Sequence, residues 1–364
     1  MTISTEATFN SKPHYPILDG LRGVAAMAVV IFHFMEMVIT DYTKNFIGHG
    51  YLAVDFFFCL SGFVIAYAYD DRIQSMGFKE FIKSRLIRLH PLVILGTILG
   101  LLGFLFDPFV NQSANYDFLT IAILGISSVL IIPNGAMAER GFNLFGLNAP
   151  AWSLFWEYVA NIAYAFFLYR IKNCFLVILT IIGSFAIIYV AHNVGHLQGG
   201  WGKANFWDGC ARVSYSFLAG ILIWRLKLIL KNGIGFLGLA ILLSIPFLMP
   251  FYKFNWMVES IVVIFYFPLL VSLGAGSLLS ERLKTLCNFS GDISYPLYMT
   301  HYFCVWVFTN YFLTYKPETK ELYIIMIGSI LFTVGFAYLC WKYFDTPIRK
   351  YFNRKRKQKA GLIN

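Results

Sequence analysis

Apolar runs about twenty residues long recur along this chain, and no other feature constrains its fold as strongly. A bilayer core of roughly 30 Å takes about 20 apolar residues per helix, and every backbone N–H and C=O inside it must be satisfied within the span. Ten runs read as helices of that kind, near 18–38, 50–69, 88–106, 150–169, 173–191, 207–227, 234–251, 257–277, 291–312 and 322–343. The composition agrees, with 58% of the 364 residues hydrophobic and only 13% charged, as in polytopic membrane proteins. The expected fold is all-α: a polytopic integral membrane helix bundle of about ten transmembrane helices, with one membrane domain over 1–347 and a basic cytosolic tail over 348–364. The polar breaks leave no room for a sizeable soluble domain. Met1 to Lys12 lacks the basic flank and cleavage pattern of a signal peptide, so the first run is expected to stay.

Basic residues set the expected sidedness. Arg72, Lys79, Lys83, Arg85 and Arg88 crowd the stretch 70–88, and a second group runs from Arg349 to Lys359; lysine and arginine concentrate in cytosolic loops. Arg170 and Lys172, then Arg225, Lys227 and Lys231, then Arg282 and Lys284 fall in alternate breaks of the same side. An eleventh apolar stretch, 117–133, would break this alternation if it crossed. It is short and holds Gly125, Ser127 and Ser128, so it is expected to be a re-entrant or interfacial helix, which leaves both termini in the cytosol.

Ionisable residues inside such runs are costly and are a functional hypothesis by default. In LDGLRGVAAMAVVIFHF, Arg22 lies near the cytosolic mouth of the first span and His33 in its outer half, about 16 Å higher at 1.5 Å per residue. Asp55 in VDFFFCLSGF and Glu157 in AWSLFWEYVA are placed by the same counting near the level of His33. Arg85 and Arg88 share one helix face, and guanidinium forks match phosphate oxygens. Against these readings stand plainer ones: an Arg-x-x-Arg at a boundary as a topology signal, Asp19 paired with Arg22, and Trp152 and Trp156 as belt residues. Ser61 in a Leu-Ser-Gly turn suits close helix packing as well as nucleophilic chemistry.

Other classes find little support. The net charge of +10 sits in loops and tail, without a recognition module for nucleic acid. Six cysteines lack paired spacing, and neither a disulfide framework nor a zinc site is expected. His192 and His196 are four apart, but Gly195 and Gly199-Gly200 make that a loop, and no metal is expected. His301 and Cys304, one turn apart, have no further ligands nearby.

With these residues in place, the chain resembles the membrane acyltransferase 3 family. The resemblance rests on Arg22-x10-His33, the run from Gly50 through Asp55 to Ser61-Gly62-Phe63, Arg85-x-x-Arg88, Trp152-Ser153-Leu154 followed by Glu157, Ser294-Tyr295-Pro296-Leu297-Tyr298-x-x-His301, and Phe344-Asp345-x-Pro347-x-Arg349, in family order. It implies an integral membrane O-acyltransferase that takes an acyl group, usually acetyl, from cytosolic acyl-CoA. The acceptor it implies is a hydroxyl of an extracytoplasmic or lipid-linked carbohydrate, with a bacterial inner membrane as the expected location. On that reading Arg22, Arg85 and Arg88 hold the phosphates of acetyl-CoA, His33 is the general base, and Asp55 or Glu157 orients it. Asp19, Ser61, Trp152, Ser153, His301 and Asp345 are supporting candidates. Asp345 stands where the family often has Glu. No counterpart of the family's occasional soluble transferase domain is expected here. The alternative from another class is a proton-coupled small-anion transporter using the same ionisable residues.

Overall fold

The computed structural model describes residues 14–359. Its regular structure is helical: α1 (Pro16–Val38), α2 (Ala53–Tyr69), α3 (Ile73–Leu105), α4 (Phe118–Val129), α5 (Ala151–Phe166), α6 (Asn173–Val194) and α7 (Phe206–Arg225). The second half adds α8 (Gly235–Leu248), α9 (Asn255–Ile261), α10 (Phe267–Gly276), α11 (Glu281–Thr300), α12 (Tyr302–Tyr315), α13 (Thr319–Cys340) and α14 (Thr346–Lys359). Six helical stretches among the described residues are long and apolar enough to cross a bilayer by length and composition. Residues such as Phe175, Ile178 and Phe185 on α6 and Ile324, Ile327 and Leu331 on α13 are exposed. Large apolar surface of that kind belongs against lipid rather than water. The protein is therefore a multi-pass integral membrane protein.

The centre of the bundle is α2, which packs along α7, while α1 packs along α11. Two glycines let α2 and α7 meet backbone to backbone. A Cβ on Gly62 would stand 2.0 Å from the Phe217 carbonyl oxygen, and one on Gly220 2.0 Å from that of Cys59. Small residues at helix contacts are how membrane helices gain packing when lipid offers no hydrophobic gradient. The ends of α1 follow local chemistry: Pro16 opens the helix where its missing N–H costs nothing, and Asp19 occupies the first turn, where a carboxylate favours the helix dipole.

Several expectations change in detail. The stretch 117–133 folds as the 12-residue α4, about 18 Å long and so too short to cross a bilayer core. Its Ser128 Oγ lies 2.9 Å from Thr97 Oγ1 on α3, while Phe118, Leu119 and Ile126 are exposed. The stretch 70–88 is not a loop. Helix α3 begins at Ile73, breaks only at Gly77 (φ 76°), and carries Arg85 and Arg88 directly into the span. The expected single run 291–312 is interrupted at His301 between α11 and α12, five residues after Pro296, which removes a backbone donor from the ladder. A π-helical turn at 262–266 joins α9 to α10, and another at 341–345 joins α13 to α14. Helix α14 runs through 347–348, where the basic tail is expected to begin, without a break.

The close contact of α2 and α7 gives a direct test. Gly220→Leu should force the helices apart, and overpacking of this kind costs typically 1–3 kcal/mol. The detergent-solubilised variant should unfold at a lower temperature than Gly335→Leu, because a Cβ at Gly335 meets open space. Equal unfolding temperatures would contradict the packing described.

Candidate functional site

Two cavities lie one above the other along α1. The first, about 290 Å³, collects Asp19 and Arg22 of α1, Arg85 and Arg88 of α3, Glu157 of α5 and, from the chain's end, Asp345 and Arg349. Three of its four arginines are committed to carboxylates. Arg22 Nη1 is 3.1 Å from Asp19 Oδ1, Arg85 Nη2 donates to Glu157 Oε1 at 3.0 Å, and Arg349 Nε is 3.1 Å from Asp345 Oδ2. Asp19 also meets His14 Nε2 at 2.7 Å, and Asp292 lines the cavity as a fourth carboxylate. Arg22 is further fixed by donating to Ser294 Oγ at 2.7 Å and to the Gly291 carbonyl at 2.5 Å.

Arg88 differs from the other three. It lines the same cavity with its side chain exposed and has no hydrogen-bond or ion-pair partner among the described residues. A guanidinium held open beside three others that are already braced is suited to a ligand carrying several phosphate oxygens.

The second cavity, about 270 Å³, is lined by His33 and Glu36 of α1, by Arg140 and by a group of aromatic rings that includes Trp152, Trp201 and Trp306. His33 Nδ1 lies 2.5 Å from Glu36 Oε1. The hydroxyl of Tyr42 donates to Glu36 Oε2 at 3.2 Å and receives a hydrogen bond from Gln198 Nε2. A carboxylate on Nδ1 fixes the imidazole tautomer and leaves Nε2 for a proton acceptor's work. Behind His33 the ring of His301 is stacked with centroids 5.4 Å apart. His301 is fully buried, with Nδ1 3.0 Å from the Leu297 carbonyl oxygen and Nε2 without a partner among the described residues.

Val54 and Tyr298 line both cavities. They form the wall where the two meet, and the Tyr298 hydroxyl there is 2.7 Å from Ser153 Oγ. The eleven-residue interval between Arg22 and His33 thus separates the floor of one cavity from the machinery of the other.

The sequence expectation for the carboxylates is changed by this arrangement. Asp55 does not meet His33. It is fully buried against Arg212 of α7, whose Nη2 donates to Oδ2 at 2.7 Å and whose Nε donates to Oδ1 at 3.1 Å. Glu157 faces the first cavity, holding Arg85 and accepting from Ser61 Oγ at 3.0 Å. The cause is the early start of α3, which carries Arg85 to the depth of Glu157. Ser61 lines that cavity too, whereas Trp152 lines the second and also packs under the Arg212 guanidinium at 5.1 Å. Glu36, Arg140 and Arg212 were not among the expected site residues. Only Glu36 had a readable signal, its i, i+3 spacing from His33. Among the described residues no group of three or more His, Cys, Asp or Glu is placed to hold a metal ion.

Polar side chains gathered between the helices of a multi-pass bundle mark a membrane enzyme or transporter as a class. Residues 15–342 match the family model described as an acyltransferase domain, and the chain belongs to this membrane acyltransferase 3 family. It is similar to "Protein 2 in picA locus" of Rhizobium radiobacter, 36% identical over 160 residues that cover 41% of this chain and 80% of that protein. It is also similar to the O-acetyltransferase OatA of Staphylococcus aureus, 27% identical over 379 aligned positions. That match covers 93% of this chain and 58% of OatA, so the chain spans little more than half of that relative's length. No solved structure matches.

The burial of Asp55 generates a prediction that separates a structural carboxylate from a chemical one. Asp55→Ala strands the Arg212 guanidinium, and breaking a buried pair costs typically 3–5 kcal/mol. Thermal unfolding in detergent should show a marked loss for Asp55→Ala and recovery of much of it in Asp55→Leu/Arg212→Met, which removes both charges. An unchanged unfolding temperature for the single variant would refute the structural role.

Proposed function

We propose that the protein is a membrane O-acyltransferase that carries an acyl group, acetyl by preference, from acyl-CoA to a carbohydrate hydroxyl. The observation that carries this reading is the meeting of two unlike cavities at Val54 and Tyr298, one lined by four arginines and the other by the His33–Glu36 pair. Family membership supports acyl transfer, and the OatA likeness supports an oxygen acceptor. On this reading the basic cavity opens to the cytosol, in keeping with the lysines and arginines of α3 and α14. The chain then crosses a bacterial inner membrane ten times, and both termini stay inside.

The donor's phosphates bind at Arg88, with Arg22 and Arg85 completing the cationic wall. The thioester end of its arm extends toward Val54 and Tyr298. In the second cavity a sugar hydroxyl stands against His33 Nε2. The hydroxyl oxygen attacks the thioester carbonyl while His33 takes its proton, the C–S bond breaks, and the leaving CoA thiolate takes that proton back from the His33 imidazolium. Glu36 stabilises the imidazolium, and Tyr42 holds Glu36. General-base help of this kind is worth about 10² to 10⁴ in rate.

Radiolabelled acetyl transfer from acetyl-CoA into envelope carbohydrate tests the reading. His33→Ala membranes should lose at least about a hundredfold in rate while still binding CoA. Arg88→Ala should weaken CoA binding by about tenfold or more. Label transferred by His33→Ala at the wild-type rate would overturn the catalytic assignment of His33, and failure of the wild type itself to transfer label would favour the transporter reading.

Glu36→Gln keeps a hydrogen-bonding oxygen near His33 but removes the charge. The expected result is a lower maximal rate with the KM for acetyl-CoA unchanged, since Glu36 lines only the second cavity. A raised donor KM at constant rate would place Glu36 in donor binding instead.

A further inference from the structure

Arg140 is the residue of the second cavity that the scheme above leaves unused, and it is the most expensive one to keep there. Its side chain is 4% exposed, and its guanidinium forms no ion pair among the described residues. Nη1 donates to the Gly146 carbonyl at 2.9 Å, while the buried Nε has no partner among the described residues. The carboxylates nearest in sequence and space are engaged elsewhere. Glu139 accepts from the Tyr116 hydroxyl at 2.7 Å, and Asp107 accepts from the backbone of Phe109 at 2.9 Å and from Asn310 Nδ2 at 2.8 Å. Within the cavity Glu36 is the only carboxylate among the described residues, and it is held by His33 and Tyr42.

Two rings hold the cation in place. The Arg140 guanidinium carbon lies 4.9 Å from the centroid of Trp306 and 5.2 Å from that of Phe104. Each such contact contributes about 0.5–2 kcal/mol, whereas an uncompensated buried charge costs several. The turn that presents it is also strained: Gly141 at φ 63° is followed by Phe142 at φ 52°, a left-handed position for a non-glycine residue costing about 1–3 kcal/mol. A buried, braced and unpaired cation in a ligand cavity is the complement of an anion.

We infer that the acceptor is an anionic sugar, whose carboxylate or phosphate is bound by Arg140 while the ring lies on the aromatic wall of the second cavity. The inference rests on the acetyl-transfer reading for the word acceptor, but the binding it describes does not depend on catalysis. A bound oxyanion would accept from the guanidinium where Arg140 lines the cavity and would neutralise its charge. Trp152, Trp201 and Trp306 supply flat apolar faces of the kind that the C–H faces of a pyranose ring cover.

The test is binding to the purified full chain in lipid nanodiscs, read by tryptophan fluorescence, because Trp306 lies under the Arg140 guanidinium. The probes are tetragalacturonate and tetraglucuronate, their neutral methyl esters, and glucose 1-phosphate beside glucose. The wild type should bind at least one anionic probe about tenfold or more tightly than its neutral partner. The carboxylate and phosphate arms show which oxyanion is preferred. Arg140→Gln should abolish that preference with neutral binding within about twofold, and Arg140→Lys should keep part of it. Equal affinity for charged and neutral probes in the wild type would overturn the inference, as would a preference that survives Arg140→Gln. So would loss of neutral and charged binding together with a lowered unfolding temperature in both variants, which would assign Arg140 to folding. A protein that prefers the anionic probe yet transfers no acetyl group would uphold this inference and sink the transferase reading. Acetylation of neutral carbohydrate without any charge preference would do the reverse.

Discussion

The ion pair between Asp55 and Arg212 is the interaction on which the rest of the site depends. Both side chains are fully buried, and Arg212 also donates to the carbonyls of Gly199 at 2.8 Å and Tyr51 at 3.0 Å. One guanidinium therefore ties α2, α7, the loop before α7 and the turn before α2 to a single point. With Asp55 fixed inward, the neighbouring positions Val54, Phe57, Phe58 and Ser61 of α2 are set toward the first cavity. The glycine contacts further along the same two helices keep that orientation over their length. In a low-dielectric interior a pair like this defines geometry more than it adds net stability, because desolvation offsets much of the attraction.

The second cavity is organised on a similar plan but from weaker parts. His33, Glu36, Tyr42 and Gln198 form a hydrogen-bonded chain from α1 through the loops after α1 and α6. Close by, His49 lies 2.7 Å from Asn255 Oδ1 and Tyr51 donates to the buried Glu259 at 2.5 Å. Glu259 accepts in turn from the backbone N–H of Leu197 at 2.5 Å. These buried contacts secure the segment that delivers Gln198 and Trp201. A loop over a cavity gains a fixed position only when its polar groups are satisfied from below, and here α9 does that.

Much of the architecture can be read from the sequence because the bilayer allows so few solutions. Length and apolarity locate the helices, and charge alternation marks 117–133 as the stretch unlike the others. The spacing of Arg22 and His33 places them at different depths, and each lines a different cavity. What cannot be read is pairing across helices. Asp55 finds Arg212 more than 150 positions away, and nothing in either local sequence names the other. Glu157 meets Arg85 because α3 starts at Ile73 and brings Arg85 to its depth, whereas the basic stretch after Asp70 reads as a loop when apolarity alone is followed. Glu36 was legible in principle: it is one turn from His33, nearer in sequence than either expected carboxylate. Arg140 sits in a turn whose left-handed backbone has no apolar pattern to announce it.

The shared wall at Val54 and Tyr298 has an electrical consequence. On the proposed reading, the phosphates remain with the arginines of the first cavity, and what passes the wall is the neutral end of the donor. Moving an elementary charge across a membrane involves about 2.3 kcal/mol per 100 mV, but moving an acyl group involves none. The driving force is then the thioester's own chemistry, and the passage itself is blind to membrane voltage. Charge arises only within the reaction, as the His33 imidazolium and the CoA thiolate, and it disappears when the proton passes from one to the other.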